Sequence, residues 1–195
     1  MYKLFLSGNA RSGKDTFCNL VSERLSELGF LCRRVSFADQ LKNELYEFCM
    51  ENLKISPFTE NADDKNIIRP ILISYGMAKR KQTNGRYWLD KVEKTISELE
   101  KFNLIDVVIV TDVRFNESGN DEASFAKENG DLVYIERVDD DGNLIQPASH
   151  EEKIFNPQIE AKADYVVTWG KDVDSKLLVD EFINSVILLK LPKEQ

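Results

Sequence analysis

The sequence contains few cysteines, few prolines and glycines, and no long apolar run. Its three cysteines, Cys18, Cys32 and Cys49, form no C-x-x-C pair, so neither a disulfide framework nor a zinc site is indicated. Nine glycines and five prolines in 195 residues exclude collagen-like and low-complexity chains. Uninterrupted apolar stretches such as Val107–Val110 fall far short of the ~18 residues that a membrane span needs. We therefore expect a protein that does not enter a membrane.

The chain carries a net negative charge. Asp and Glu number 34 against 26 Lys and Arg, which gives a net charge of -8. Such a charge repels phosphate backbones and anionic membranes, so we expect no nucleic-acid partner. The N-terminal apolar segment ends at Leu6 and is too short for a signal peptide, which predicts a cytoplasmic protein. The hydrophobic share of 42% and the length favour one globular domain, 1–195.

The pattern of apolar residues predicts five strands that alternate with helices. The strands are predicted at 3–7, 32–37, 105–111, 132–138 and 165–168. The helices are predicted at 14–28, 38–53, 67–81, 87–102, 117–129 and 173–190. Strands that alternate with helices form parallel sheets with right-handed crossovers. We therefore expect an α/β fold of three layers, in which helices flank a five-stranded parallel sheet.

Two segments carry no predicted element of their own. Residues 54–65 are polar and contain Pro57 and the acidic pair Asp63-Asp64, which predicts a loop. Residues 138–162 are rich in Asp, Gly, Asn and Pro and have little apolar periodicity. A loop of that length in a compact domain is usually functional, so we expect an inserted lid there.

A phosphate-binding loop follows the first predicted strand. Gly8–Lys14 match G-x-x-x-x-G-K, directly after a strand and directly before a helix, and a plain glycine turn is the alternative. In this context the loop N–H groups and the helix N-terminus bind phosphates, and the lysine reaches the β- and γ-phosphates. The residues expected to bind ATP are Gly8, Ala10, Arg11, Ser12, Gly13, Lys14, Asp15 and Thr16.

Two carboxylates are candidates for holding Mg²⁺. Asp15 stands where Ser or Thr usually binds the ion, so we expect it to act through water, with Thr16 on the α-phosphate. Asp112 follows the most apolar strand in the position of a Walker B acid. Arg114, two residues later, lies on the same face, although an Asp-x-Arg pair is also compatible with a plain salt bridge.

Three short motifs follow one another along the first two thirds of the chain. They are Ser7-Gly8 with Arg11-Ser12-Gly13-Lys14-Asp15-Thr16, then Phe37-Ala38-Asp39-Gln40-Leu41-Lys42, then Thr111-Asp112-Val113-Arg114-Phe115-Asn116-Glu117. Between them lie Arg69, Gly76, the basic turn Lys79-Arg80-Lys81 and Trp88. In these residues and their spacing the chain resembles the bacteriophage deoxynucleoside monophosphate kinases, a family of P-loop kinases. The Gly-Lys-Asp-Thr and Asp-Val-Arg-Phe segments are its most specific parts.

The resemblance implies Mg²⁺-dependent transfer of the ATP γ-phosphoryl group to a deoxynucleoside 5′-monophosphate in deoxynucleotide biosynthesis. It also implies a homodimer, and the host cytoplasm if a phage encodes the chain. Residues 38–103 would form the helical part that binds the acceptor. The implied acceptor-binding residues are Phe37, Asp39, Lys42, Arg69, Gly76, Arg80, Trp88, Arg114 and Glu117. Cationic side chains would hold the monophosphate and an aromatic ring would stack on its base.

The expected catalytic residues are Lys14, Asp112, Arg114 and Arg137. Arg137 ends a predicted strand at the start of the polar segment, so we expect it to act at the hinge of a lid that excludes water, with Arg80 and Arg114 as the alternatives. Trp88 is equally compatible with a core position, and Lys42 with a solvated helix face. His150 is either a lid contact or an exposed loop residue.

Two alternative functions stay open. A P-loop kinase for another small acceptor, such as phosphomevalonate or a coenzyme A precursor, fits the loop, because animal phosphomevalonate kinases carry a similar Ser-Gly-Lys-Asp motif. A regulatory protein that binds ATP without turnover is the second alternative, and Asp15 in place of Ser or Thr favours it.

Overall fold

The computed structural model of the protein describes residues 1–191 and contains a five-stranded parallel sheet. The strands are β1 Tyr2–Ser7, β2 Cys32–Ser36, β3 Val107–Thr111, β4 Asp131–Arg137 and β5 Tyr165–Trp169. Their order in the sheet is β2-β3-β1-β4-β5, and all neighbouring pairs are parallel. Helices cover both faces of the sheet, which confirms the predicted α/β fold of three layers.

The helices lie in the connections between strands and after β5. They are α1 Lys14–Glu27, α2 Phe37–Glu44, α3 Tyr46–Asn52, α4 Ala62–Gln82, α5 Arg86–Phe102, α6 Glu122–Asn129, α7 His150–Lys162 and α8 Ser175–Phe182. After α8 the chain continues through a π-helical turn, Ile183–Ile187, into the short helix α9 Leu188–Lys190. Within residues 1–191, no helix combines the length and the apolar character that crossing a membrane requires.

Alternating strand residues divide the core into two apolar layers. Leu4, Leu6 and Ile109 point to one face of the sheet, where α1 and α8 cover them. Phe5 and Val108 point to the other face, where α5, α6 and α7 pack. Every residue of β3 is buried, as the continuous apolar run predicts for a central strand of a parallel sheet.

Three predicted helix boundaries were wrong. The helix predicted over 38–53 is broken at Leu45, whose backbone leaves the helical region and separates α2 from α3. The helix α4 begins inside the predicted loop, because the side chain of Asn61 caps its first turn and Asp63 is favourable near a helix N-terminus. The helix predicted from 117 begins only at Glu122, after Asp121 as its cap residue.

The prediction of an irregular segment over 138–162 was wrong in its second half. Residues 150–162 form α7, and Ser149 caps this helix by accepting a hydrogen bond from the Glu152 N–H. Phe155 and Ile159 face the core, four residues apart, which is too short an apolar pattern to stand out in the sequence. Pro157 within the helix further conceals the helical pattern.

Candidate active site

The phosphate-binding loop lies between β1 and α1, at the carboxyl edge of the sheet. Its backbone takes positive φ at Gly8, Arg11 and Gly13. A Cβ on Gly8 would lie 2.2 Å from the Ile135 carbonyl oxygen, so only glycine fits beside the neighbouring strand. Gly13 is the N-cap residue of α1 and has no side chain to cap it. The N–H groups of the first turn are therefore available to an anion.

Trp169, the last residue of β5, supports this loop from the sheet. Its indole Nε1 donates to the Ser12 carbonyl oxygen at 2.7 Å. A Cβ on Gly13 would lie 2.3 Å from the Trp169 ring, so the ring fills the space beneath the loop. Phe17 of α1 packs edge-on against the same ring. Trp169 cannot be recognised from the sequence, because a strand-terminal tryptophan carries no signal for a partner 157 residues away.

Lys14 is folded back against its own loop. Its Nζ donates to the carbonyl oxygens of Gly8 at 2.9 Å and Asn9 at 2.8 Å. Burial lowers the pKa of the Lys14 ammonium, and the carboxylate of Asp112 acts in the opposite direction. Asp15 and Thr16 follow on the exposed side of the first turn of α1.

Asp112 is held in place by two donors. Ser36 Oγ donates to Oδ2 of Asp112 at 3.1 Å, and Arg114 Nη2 donates to Oδ1 at 3.0 Å. Burial raises the pKa of Asp112, but the charges of Arg114 and Lys14 outweigh it and keep the pKa below its usual range. Asp112 is therefore a carboxylate at neutral pH. Ser36 also caps α2. Its role at Asp112 cannot be recognised from the sequence, because the hydrogen bond joins the ends of two different strands.

The Asp112 carboxylate beside the phosphate-binding loop is suited to a magnesium ion that is also bound by substrate phosphates. Mg²⁺ takes oxygen ligands and commonly binds through one or two carboxylates together with substrate phosphates and water. No group of three metal-binding side chains is present among residues 1–191. The ionised Asp112 carboxylate at the strand end next to the phosphate-binding loop is the donor that such a site requires.

An arginine that the sequence analysis passed over links the two sides of the site. Arg34 of β2 bonds to Oδ2 of Asp39 at 2.7 Å and to Oδ1 of Asp15 at 3.4 Å. Asp15 at the loop and Asp39 on α2 thus share one guanidinium. Residues 32–37 are predicted only as a strand, so the sequence does not indicate this role for Arg34.

The predicted acceptor residues are divided between surface and core. Lys42 lies on α2 with its Nζ 5.3 Å from the ring centroid of the exposed Phe58, and Arg69 is exposed on α4. Trp88 is only 4% exposed and donates its indole N–H to the Gly76 carbonyl oxygen. Phe37 is likewise buried in the core. The structure thus does not bring Trp88 to an open surface.

Arg80 lies in a buried ion-pair cluster instead of an open pocket, and Glu117, with a side chain 51% exposed, contacts it from the surface. The Arg80 guanidinium, 3% exposed, bonds to Glu117 at 2.8 Å and Asp121 at 3.0 Å and stacks on the ring of Phe115. It also contacts Glu122 at 3.5 Å. Burial raises the pKa of Glu122 to about 7, against the influence of Arg80.

The cluster reaches the active site through Glu122. Its Oε2 accepts a hydrogen bond from the backbone N–H of Arg114 at 2.8 Å. The Arg114 side chain itself is 55% exposed beside Asp112. Arg80 is therefore placed to support the loop that carries Arg114, and not to meet a ligand directly.

The predicted lid residues lie on the β4 side of the phosphate-binding loop, opposite β3 and Asp112. Arg137 ends β4 with an exposed side chain, and its carbonyl oxygen accepts from the Ile145 N–H. His150 is the exposed first residue of α7. A cavity of about 210 Å³ lies between the segments that follow β4 and β5, and Trp169 is among its lining residues. A larger cavity of about 410 Å³ lies at the amino edge of the sheet, away from the phosphate-binding loop.

The loop, the strand-end carboxylate and the strand order together define a P-loop kinase fold, the architecture of ATP-dependent phosphotransferases. Residues 6–129, more than half of the chain, match the family model described as phosphomevalonate kinase. The chain therefore belongs to the phosphomevalonate kinase family. The match is to this family and not to the bacteriophage kinases that the motifs resemble. No curated protein sequence is a significant match.

Several solved structures are similar to the chain. Shikimate kinase from Acinetobacter baumannii, in complex with shikimate, is 13% identical over 98% of this chain and 96% of that one, with a TM-score of 0.49. APS kinase from Mycobacterium tuberculosis, in complex with AMPPNP and APS, is 13% identical over 94% and 95%, with a TM-score of 0.48. Shikimate kinase from Aquifex aeolicus is 18% identical over 96% and 97%, with a TM-score of 0.43.

Proposed function

We propose that the protein transfers the γ-phosphoryl group of ATP to the phosphate of a small phosphomonoester, with Mg²⁺, and so makes a diphosphate. The observation that carries the proposal is the grouping of Lys14, Asp112 and Arg114 at the carboxyl edge of β1 and β3. That edge is where open parallel sheets bind their ligands. Deoxynucleoside monophosphates and phosphomevalonate are the two candidate acceptors.

On the donor side, the loop N–H groups bind the ATP phosphates. The Lys14 ammonium exchanges the carbonyl oxygens of Gly8 and Asn9 for phosphate oxygens. The Asp112 carboxylate, held by Ser36, and Asp15 through water would hold the metal. The bound Mg²⁺ supplies charge neutralisation for the phosphates.

On the acceptor side, Arg114 binds the phosphate that receives the γ-phosphoryl group. Its guanidinium is exposed and its backbone N–H is fixed by Glu122, so it presents a planar fork from a supported loop. Lys42 and Arg69 add positive charge along α2 and α4. No strong general base is needed, because a phosphomonoester with a second pKa near 6 is largely ionised at pH 7.

Each candidate acceptor has its own support. The family match favours phosphomevalonate. The motif resemblance favours a deoxynucleoside monophosphate, but the enclosed Trp88 cannot stack on a base in this arrangement. The exposed ring of Phe58, with Lys42 beside it, is the aromatic surface that such a base would use.

A coupled assay of ADP release with the four deoxynucleoside monophosphates, phosphomevalonate and a coenzyme A precursor tests the proposal. Turnover that depends on one phosphomonoester supports it, and the acceptor that works names the substrate. Phe58→Leu should raise KM for a nucleotide acceptor and leave KM for phosphomevalonate unchanged. ATP binding without turnover on any acceptor would contradict the proposal and favour the regulatory alternative.

A further inference from the structure

A carboxylate from α7 accepts a hydrogen bond from one of the N–H groups of the phosphate-binding loop. The backbone N–H of Ala10 donates to Oε1 of Glu152 at 3.1 Å. The other oxygen, Oε2, accepts from the Ala148 N–H at 2.8 Å. Loops of the G-x-x-x-x-G-K type use their N–H groups to bind anions, so Glu152 stands where an anionic ligand would compete with it.

The same part of the chain is tied to the loop by two further contacts. Asn9 Nδ2 donates to the Ile145 carbonyl oxygen at 2.7 Å. Asn9 Oδ1 accepts from Nδ2 of Asn156 at 2.7 Å, and Asn156 is only 3% exposed. The segment before α7 and α7 itself are therefore fixed to the loop through Asn9 as well as Ala10.

Helix capping does not account for the position of Glu152. The sequence Ser149-x-x-Glu152 matches a capping box, in which the glutamate would accept from the N–H of the cap residue. Ser149 does cap the helix by accepting from the Glu152 N–H at 3.2 Å. The Glu152 carboxylate, however, binds the N–H groups of Ala148 and Ala10 instead. One of its two bonds is thus made to the loop and not to its own helix.

The charges around Glu152 are those that a transferred phosphoryl group would need. The Glu152 carboxylate lies close enough to Lys14 and Arg114 to favour the charged form of both, although burial still keeps the pKa of Lys14 below its usual value. Lys14 belongs to the donor side and Arg114 to the acceptor side of the proposed reaction. The negative charge of Glu152 therefore lies in the region through which the γ-phosphoryl group must pass.

We infer that Glu152 is an internal competitor of the donor's terminal phosphate. Without nucleotide, its carboxylate holds the Ala10 N–H and keeps the first turn of α7 on the loop. A bound nucleoside triphosphate places a phosphate against this carboxylate, and repulsion between like charges releases the turn. A diphosphate lacks the terminal phosphate and leaves the contact in place. The inference rests on the proposed function, because it concerns the regulation of the same donor site.

Glu152→Gln tests the inference, because glutamine keeps the shape and one of the two acceptor oxygens but removes the charge. Glu151→Gln is the matched control, since it removes a neighbouring charge on the same turn of α7. Calorimetric titration with Mg²⁺ and either AMPPNP or ADP gives the Kd values. We expect Glu152→Gln to bind AMPPNP about tenfold more tightly than the wild type, because the hydrogen bond to be displaced loses its charged acceptor. The Kd of ADP for Glu152→Gln should differ less than twofold from the wild-type value. The Kd values of AMPPNP and ADP for Glu151→Gln should also differ less than twofold.

Hydrogen exchange of the wild-type protein provides a second readout that needs no variant. AMPPNP should increase exchange at the first turn of α7, and ADP should not. Unchanged or weaker AMPPNP binding by folded Glu152→Gln, or an α7 that stays protected with AMPPNP, would overturn the inference and make Glu152 a structural support. Failure of the wild type to bind either nucleotide would instead overturn the donor site itself, and the inference with it.

Discussion

Glu122→Gln tests the energetics of the buried cluster that supports the active-site loop. The cluster contains more buried acid than base, because one guanidinium, Arg80, faces both Asp121 and Glu122, which are 1% and 2% exposed. The pKa of Glu122 is accordingly raised from 4.5 to about 7 by burial. Glutamine can keep accepting from the Arg114 N–H, and its NH2 group then replaces the oxygen that makes the long 3.5 Å contact to Arg80.

The sign of the pH effect follows from the raised pKa. The folded protein binds a proton at Glu122 more readily than the unfolded chain does. The stabilisation from this proton is complete below about pH 4.5 and is lost as the pH rises through about 7. A pKa raised by roughly 2.5 corresponds to about 3 kcal/mol. Glutamine does not titrate, so the variant does not lose this stabilisation. Its free energy of unfolding should therefore rise relative to the wild type by up to about 3 kcal/mol between pH 5 and pH 8.

Urea unfolding followed by circular dichroism at several pH values measures this difference. Glu128→Gln, an exposed position on the same helix, serves as the control for the loss of a surface carboxylate. A Glu122→Gln difference that stays flat, or that falls as the pH rises, would refute the assignment of a proton to this carboxyl group.

Three substitutions in the active site give further predictions. Asp112→Asn should lower kcat by at least tenfold with little change in the Kd of ATP, as steady-state and binding measurements would reveal, because the proposed role of the carboxylate is to hold Mg²⁺ at the transferring group. Arg114→Lys should raise KM for the acceptor and lower kcat, since lysine loses the planar fork; weaker ATP binding with an unchanged acceptor KM would contradict this. Trp169→Phe should raise KM for ATP by roughly five- to tenfold, because the Ser12 carbonyl loses its donor; an unchanged KM would show that the ring alone supports the loop.

The sequence predicts those parts of the molecule whose signal is local. The phosphate-binding loop and Asp112 each stand directly beside the strand that positions them, so pattern and position suffice. The five strands are predictable for the same reason. The break at Leu45 and the start of α4 depend on single backbone conformations and caps, which periodicity does not detect.

Contacts between distant segments account for what the sequence does not predict. Hydrogen bonds that form only in the folded protein join three such pairs: Trp169 and Ser12, Ser36 and Asp112, and Glu152 and Ala10.

Residue type is also an unreliable guide to exposure. Arg80 and Trp88 have the chemistry of ligand-binding residues, but one neutralises buried carboxylates and the other fills the core. The acceptor side is therefore the part on which sequence and structure differ most. The roles of its residues stay predictions, as does the homodimer.

The most direct test of the proposed phosphoryl transfer is ³¹P NMR of the reaction itself, with ATP, Mg²⁺ and the acceptor selected by the assay. The wild type should convert the acceptor to a diphosphate in step with ADP formation. Folded Lys14→Ala should form neither, because the substitution removes the phosphate contact from a loop and not from the core. Release of inorganic phosphate without a new diphosphate, or near wild-type conversion by Lys14→Ala, would contradict the proposed reaction.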